Sequence, residues 1–238
     1  MTIVLAELPD ADQTAVAAAR QRVATLHAEL PRNQLVVWTA GNVSERVPGT
    51  DLFVIKPSGV SYDDLTAETM VVCTLDGAKI DDGTPSHLTP SSDTAAHAYV
   101  YQHMAEVGGV VHTHSTYATA WAVRREPIPC VLTMMADEFG GEVPIGPFAL
   151  IGDDSIGRGI VETLATSNSP AVLMANHGPF TIGTDAKAAV KAAVMVEEVA
   201  RTIHISRQLG EPVPIDPEAI ARLFERYQNV YGQHTQEA

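Results

Sequence analysis

The chain has 238 residues, 45% of them hydrophobic and 18% charged, with a formal net charge of −14. That balance excludes a disordered chain, and the acidic surplus argues against binding nucleic acid or an anionic membrane through bulk electrostatics. Only two cysteines are present, so no disulfide framework is expected, and a reducing, cytoplasmic setting fits.

The first predicted element is an alanine-rich helix over residues 11–30, ended by Pro31. LVVW (35–38) reads as a strand running into a turn at GNVS, and DLFVIKPSG (51–59) as a second strand closed by a Pro-Ser-Gly turn. MVVCTLDGAKI (70–80) reads as a hairpin turning at Asp76-Gly77. PSSD opens a serine-capped helix reaching about Val107, followed by the strand GGVVHTHS and a helix through Trp121. Residues 127–152, rich in Pro and Gly, suggest short strands and active-site loops. A helix at 155–167, a strand–turn–strand at 171–183 and a long helix at 184–210 come next, the last capped by Thr184 and stopped by Gly210. A final helix is expected near 217–228.

Interleaved helices and hairpins predict a single three-layer α/β/α domain with a central mixed, mainly antiparallel sheet. The domain is expected to span residues 1–238, with 10–233 as its core. No apolar run approaches the ~20 residues of a membrane span, the first residues lack a secretory signal pattern, and no nucleotide-binding glycine fingerprint is present.

Within this frame, His112 and His114 lie two apart on a strand, so both side chains point to one face and Thr113 to the other. Two such imidazoles can share a divalent ion, or they are simply polar residues at a strand end. His177, in ANHGPF, is either a third ligand or a polar turn residue. Asp93, in PSSDT, is either a carboxylate ligand or a helix cap. Three histidines and one carboxylate together make a usual ligand set for zinc or a similar ion. Lys56 and the KPSG turn, Ser91-Ser92 at a helix start and the Asn of GNVS suit a phosphate without a large basic patch. Glu197 and Glu198, in the long helix, read as packing or interface residues, and His87, His97, His103, His204 and His234 as structural or surface residues.

The ordered motifs GNVS, IKPSG, PSSD, GGVVHTHS, NHGPF and a terminal YGQ resemble the class II aldolase/adducin family, most of all its L-ribulose-5-phosphate 4-epimerase branch, from about residue 15 to 233. The resemblance implies a homotetramer with active sites between subunits and a divalent metal, zinc or another such as Mn2+ or Co2+. It implies metal ligation by Asp93, His112, His114 and His177. Asn42, Ser58, Gly59, Ser91 and Ser92 match phosphate-binding positions, Lys56 a substrate-binding position beside them, and Thr133 a residue near the substrate. Asp137 and Tyr231 match the acid/base pair, the tyrosine being supplied by the adjacent subunit. The implied reaction is epimerisation at C4 of a phosphorylated ketopentose by retro-aldol cleavage and re-addition, with the metal as Lewis acid.

The sister L-fuculose-1-phosphate aldolase branch usually carries glutamate after the serine pair. The shorter Asp93 here favours the epimerase branch, as does Asp137. Two departures keep an aldolase acting on a related sugar phosphate open. Ile220 stands where the epimerase branch has a histidine, and the loop after Asp137 is shorter than usual. A non-catalytic adducin-like protein ranks last, because the histidines are all present.

Overall fold

The computed structural model describes residues 2–230. Helix α1 (Asp10–His27) leads through a short turn of helix, α2 (Glu29–Arg32), into strands β1 (Asn42–Arg46), β2 (Leu52–Ile55) and β3 (Val71–Thr74). Then follow α3 (Thr94–His103), β4 (Gly109–His112), α4 (Thr116–Arg124), α5 (Thr133–Phe139), β5 (Ile145–Gly146), α6 (Ser155–Leu164), β6 (Ala171–Met174), β7 (Gly178–Gly183), α7 (Ala186–Leu209) and α8 (Pro217–Val230).

The seven strands form one sheet in the order β3-β2-β1-β4-β7-β6-β5. Every pairing is antiparallel except β5 with β6, so the sheet is mixed and mainly antiparallel, as expected. Period-two alternation divides its residues between two faces. Val43, Val54, Val72 and Val111 pack on one side with Val16, Ala19 and Val23 of α1 and Ala189, Val190 and Ala193 of α7. Phe53, Val71, Val110, Val172 and Phe180 pack on the other with Ala96 and Val100 of α3 and Ile156 and Ile160 of α6. Helices therefore cover both faces. A third apolar cluster joins Trp121 of α4, Met135 and Phe139 of α5, Leu173 of β6, and Val199 and Ile203 of α7.

Several local expectations are corrected. α1 stops at His27, before Pro31, which lies inside α2. Pro31 has no N–H to give the His27 carbonyl four residues back, so the helical ladder breaks there. LVVW is not a strand. Val37 and Trp38 are 73% and 88% exposed, and Trp38 has φ +58°. The strand is instead the segment taken for a turn, Asn42–Arg46, which pairs with both β2 and β4. Its polar alternate residues conceal it from a hydrophobicity reading, because they face the site rather than solvent. Residues 133–139, expected to be loop, form α5. α3 ends at His103, short of Val107, and the N-cap of α7 is Asp185, not Thr184, accepting the Ala188 N–H at 2.7 Å.

Candidate metal centre and active site

The site forms where β4 ends and β1 and β7 begin, beside the start of α3. Asn42 pairs in register with His112, and His112 with Phe180. Gly41, before β1, has φ +80°, and a Cβ there would lie 2.6 Å from Val36 and 2.9 Å from the His112 carbonyl oxygen. Glycine is therefore required for β1 to approach β4 at this point. Gly178, after His177, plays the same role for β7, since a Cβ would meet the Thr113 carbonyl oxygen at 2.7 Å.

β4 ends at His112, so the HTH pair straddles the strand end rather than lying within it. The two rings still meet, with centroids 4.7 Å apart. His177 completes the group, 4.5 Å from His112 and 5.3 Å from His114. One ligand atom of each of these three residues lies within 4.8 Å of the others. His112 is buried, His177 half-buried and His114 exposed, so the group opens toward solvent on the His114 side. Such a donor set fits a divalent ion with an open coordination position.

The hydrogen bonds fit this reading. His112 Nδ1 lies 3.1 Å from the Pro179 carbonyl oxygen, to which it donates, and the ring stacks 4.1 Å from Phe180. Its Nε2 is then the lone-pair nitrogen, and it is buried without a protein partner. Neither ring nitrogen of His177 has one. Burial, reinforced by the neighbouring imidazoles, holds the His112 pKa well below the usual range. Burial also lowers His114 and His177, with Asp93 opposing in both cases. Neutral imidazoles are the form that ligates.

Asp93 stands at the N-cap of α3 but makes no side-chain capping bond. Its Oδ2 accepts the Asn42 side-chain N–H at 2.8 Å, and its buried Oδ1 has no partner. The carboxylate is thus bonded to β1 rather than to its own helix; its charge acts on His114 and His177, but it is not among the residues whose ligand atoms lie within 4.8 Å of one another. Asn42 also donates to Ser91 Oγ at 3.0 Å.

The two turns suited to a phosphate lie side by side. The Ser58 N–H reaches the Thr89 carbonyl at 2.9 Å, and the Ser91 N–H the Lys56 carbonyl at 3.1 Å. Ser58, Gly59 and Ser92 are exposed there, and Gly59 has φ +68°. Lys56 is 2% exposed. Its ammonium donates to the carbonyls of Thr39 at 3.1 Å and Pro57 at 3.3 Å, and burial lowers its pKa to about 8.

Asp137 is on α5, with Oδ1 buried and unpartnered, and it is not among the three residues whose ligand atoms converge. Thr133 begins the same helix and is exposed. Tyr231, the expected acid/base partner, and His234 lie outside the described residues. Glu197, expected to be a packing or interface residue, has a specific structural partner: its carboxylate accepts the N–H groups of Tyr117 and Ala118 at the start of α4. A helical carboxylate placed by tertiary contact leaves no local pattern to find.

Comparison with known proteins agrees with this geometry. The model of the class II aldolase and adducin N-terminal domain matches residues 21–204. The chain is 40% identical over 227 residues to L-ribulose-5-phosphate 4-epimerase UlaF of Salmonella paratyphi C (strain RKS4594), covering 90% of this chain and 98% of that protein. The same protein of Salmonella choleraesuis (strain SC-B67) matches equally. Among solved structures, an L-fuculose 1-phosphate aldolase superposes with a TM-score of 0.81 at 26% identity, covering 89% of this chain and 96% of that one. YgbL from Klebsiella pneumoniae gives 0.75 at 27%, covering 87% and 98%.

Proposed function

The chain belongs to the class II aldolase and adducin family, and on that premise we propose that it is a metal-dependent epimerase converting L-ribulose 5-phosphate to D-xylulose 5-phosphate. The observation that carries this reading is the 40% identity to L-ribulose-5-phosphate 4-epimerases along nearly the whole length of both chains.

His112, His114, His177 and Asp93 hold a divalent cation, Zn2+ in the first instance, with Mn2+ or Co2+ as substitutes. When bound, the cation supplies Lewis-acid polarisation of the substrate carbonyl. Lys56, Ser58, Gly59, Ser91, Ser92 and Asn42 hold the phosphate, helped by the N-terminal amides of α3. Thr133 lies near the sugar. Inversion at C4 proceeds by breaking and remaking the C3–C4 bond. One base takes the C4 hydroxyl proton, which makes the phosphorylated two-carbon piece an aldehyde. That piece turns over while its phosphate stays held, and an acid on the opposite side returns a proton to the new hydroxyl. The mechanism needs proton-moving groups on both faces of the substrate, and Asp137 and Tyr231 fill those roles.

The family resemblance, not the geometry of one chain, leads the reading to include a homotetramer whose active sites form between subunits, with Tyr231 supplied by the neighbour. Free Cys73 and Cys130 support a cytoplasmic setting. No helix among the described residues is long and apolar enough to cross a membrane.

The test is incubation with L-ribulose 5-phosphate, with and without zinc. D-Xylulose 5-phosphate should accumulate only when the metal is present. Net release of dihydroxyacetone and glycolaldehyde phosphate would instead favour a lyase, the reading that the L-fuculose 1-phosphate aldolase superposition supports.

A further inference from the structure

Behind the metal centre, β1 and α3 are joined by two polar rungs. The first is Asn42 with Asp93 at 2.8 Å. The second is Ser44 with His97, whose Nδ1 lies 2.7 Å from Ser44 Oγ. Residues 42 and 44 share a face of the strand, and residues 93 and 97 share a face of the helix. Tyr101, one further turn along α3, puts its hydroxyl 2.7 Å from the same Ser44 oxygen. All of these second-rung groups are buried.

The proton count in the second rung selects a tautomer. Ser44 Oγ is the only side-chain hydrogen-bond partner of the buried Tyr101 phenol among the described residues, so the phenol gives its single proton to Ser44. Ser44 then gives its own to His97 Nδ1, and the ring proton must sit on Nε2. That Nε2–H is buried and has no protein partner, while Asp93 Oδ1 and Asn42 Oδ1 are buried acceptors in the same position. One lone donor and two lone acceptors on adjoining rungs suit a single bridging water.

We propose that His97 is a positioning residue of the metal centre: fixed by Ser44 and Tyr101, it directs its Nε2–H through one buried water to the free oxygen of Asp93 and sets that carboxylate's aim at the ion. A carboxylate oxygen has lone pairs for both a water and a cation, so the two contacts are compatible. The inference rests on the metal reading given above.

The test is zinc affinity by competition with a chromophoric chelator, together with the visible spectrum of the Co2+-loaded protein. His97→Leu keeps the packing volume and removes the donor. It should weaken zinc by about tenfold or more and alter the Co2+ spectrum, with a melting temperature of the metal-free protein lowered only by the loss of the Ser44 hydroxyl's acceptor. His97→Gln, which restores an N–H donor, should recover most of the affinity. If His97→Leu does not fold, Ser44→Ala reads the same device by releasing the tautomer, and should weaken zinc several-fold. Zinc affinity within about twofold of the parent in His97→Leu, or in Ser44→Ala where that variant stands in, overturns the proposal if Asp93→Asn still loses zinc. Failure of the unsubstituted protein to bind zinc at all would instead remove the metal reading on which it depends.

Discussion

Glu197, in the middle of α7, accepts the backbone N–H of Ala118 at 3.0 Å and so caps helix α4 from another element. The same carboxylate takes the Tyr117 N–H at 3.0 Å. The HTHS segment is therefore held at one end by the β4 ladder and at the other by a carboxylate from α7. Glu197→Ala should cost about 1–2 kcal/mol of folding stability, as other lost helix caps do. Urea denaturation measures it, and an unchanged midpoint would show that the cap contributes little.

The histidine cluster predicts strict metal dependence. Dialysis against a chelator should abolish turnover, and zinc, manganese or cobalt should restore it. His177→Ala should weaken zinc by more than the roughly 10–100-fold typical of losing an outer-shell partner. Full activity in metal-stripped protein would contradict the assignment.

Asp93→Asn preserves size and removes charge. With no capping bond to lose, this variant should keep its stability while its zinc affinity and turnover fall. A large drop in melting temperature with zinc affinity intact would return Asp93 to a purely structural role.

Lys56 predicts an alkaline limb in activity. Its pKa lies near 8 because of burial, so the cation is lost as pH rises through that value. On the proposed phosphate-binding role, kcat/KM should fall above pH 8, and Lys56→Met should both remove that limb and raise KM by roughly 10–100-fold, the worth of a charged hydrogen bond. A limb that persists in the variant belongs to another group.

His27 predicts acid sensitivity of the fold. Its Nδ1 lies 2.7 Å from the Val23 carbonyl oxygen and its Nε2 accepts the Val43 N–H at 3.0 Å, an arrangement open only to the neutral ring. Burial lowers its pKa from 6.5 to about 3. Below pH 6.5 the unfolded chain takes up a proton that the folded chain refuses, so stability falls as pH drops toward 3. This one residue should account for on the order of 2 kcal/mol between about pH 7 and about pH 5. Stability curves for the parent and His27→Gln at the two pH values should diverge by that amount.

The layered α/β class, the mainly antiparallel sheet and the long helices were legible because alternation and helical spacing survive wherever a face is apolar. β1 was not, because its Asn42 and Ser44 are polar for the sake of the site, while the apolar Val37 and Trp38 point to solvent. The candidate ligands His112, His114 and His177 were legible as residues, but their meeting depends on β4 and β7 lying adjacent, which only topology decides. Whether Asp93 caps its own helix likewise needed the side-chain direction, which the absent capping bond and the Asn42 contact reveal.

The chain contains two tryptophans in opposite surroundings: Trp121 is 5% exposed within the apolar cluster of α4 and α7, and Trp38 is 88% exposed. Trp38 directly precedes Thr39, whose carbonyl receives the buried Lys56 ammonium. Its indole thus gives the molecule an intrinsic fluorophore one residue from that lysine's carbonyl acceptor. A ligand that draws the ammonium off the Thr39 carbonyl should therefore shift the solvent-facing emission, against the steadier signal of the core tryptophan.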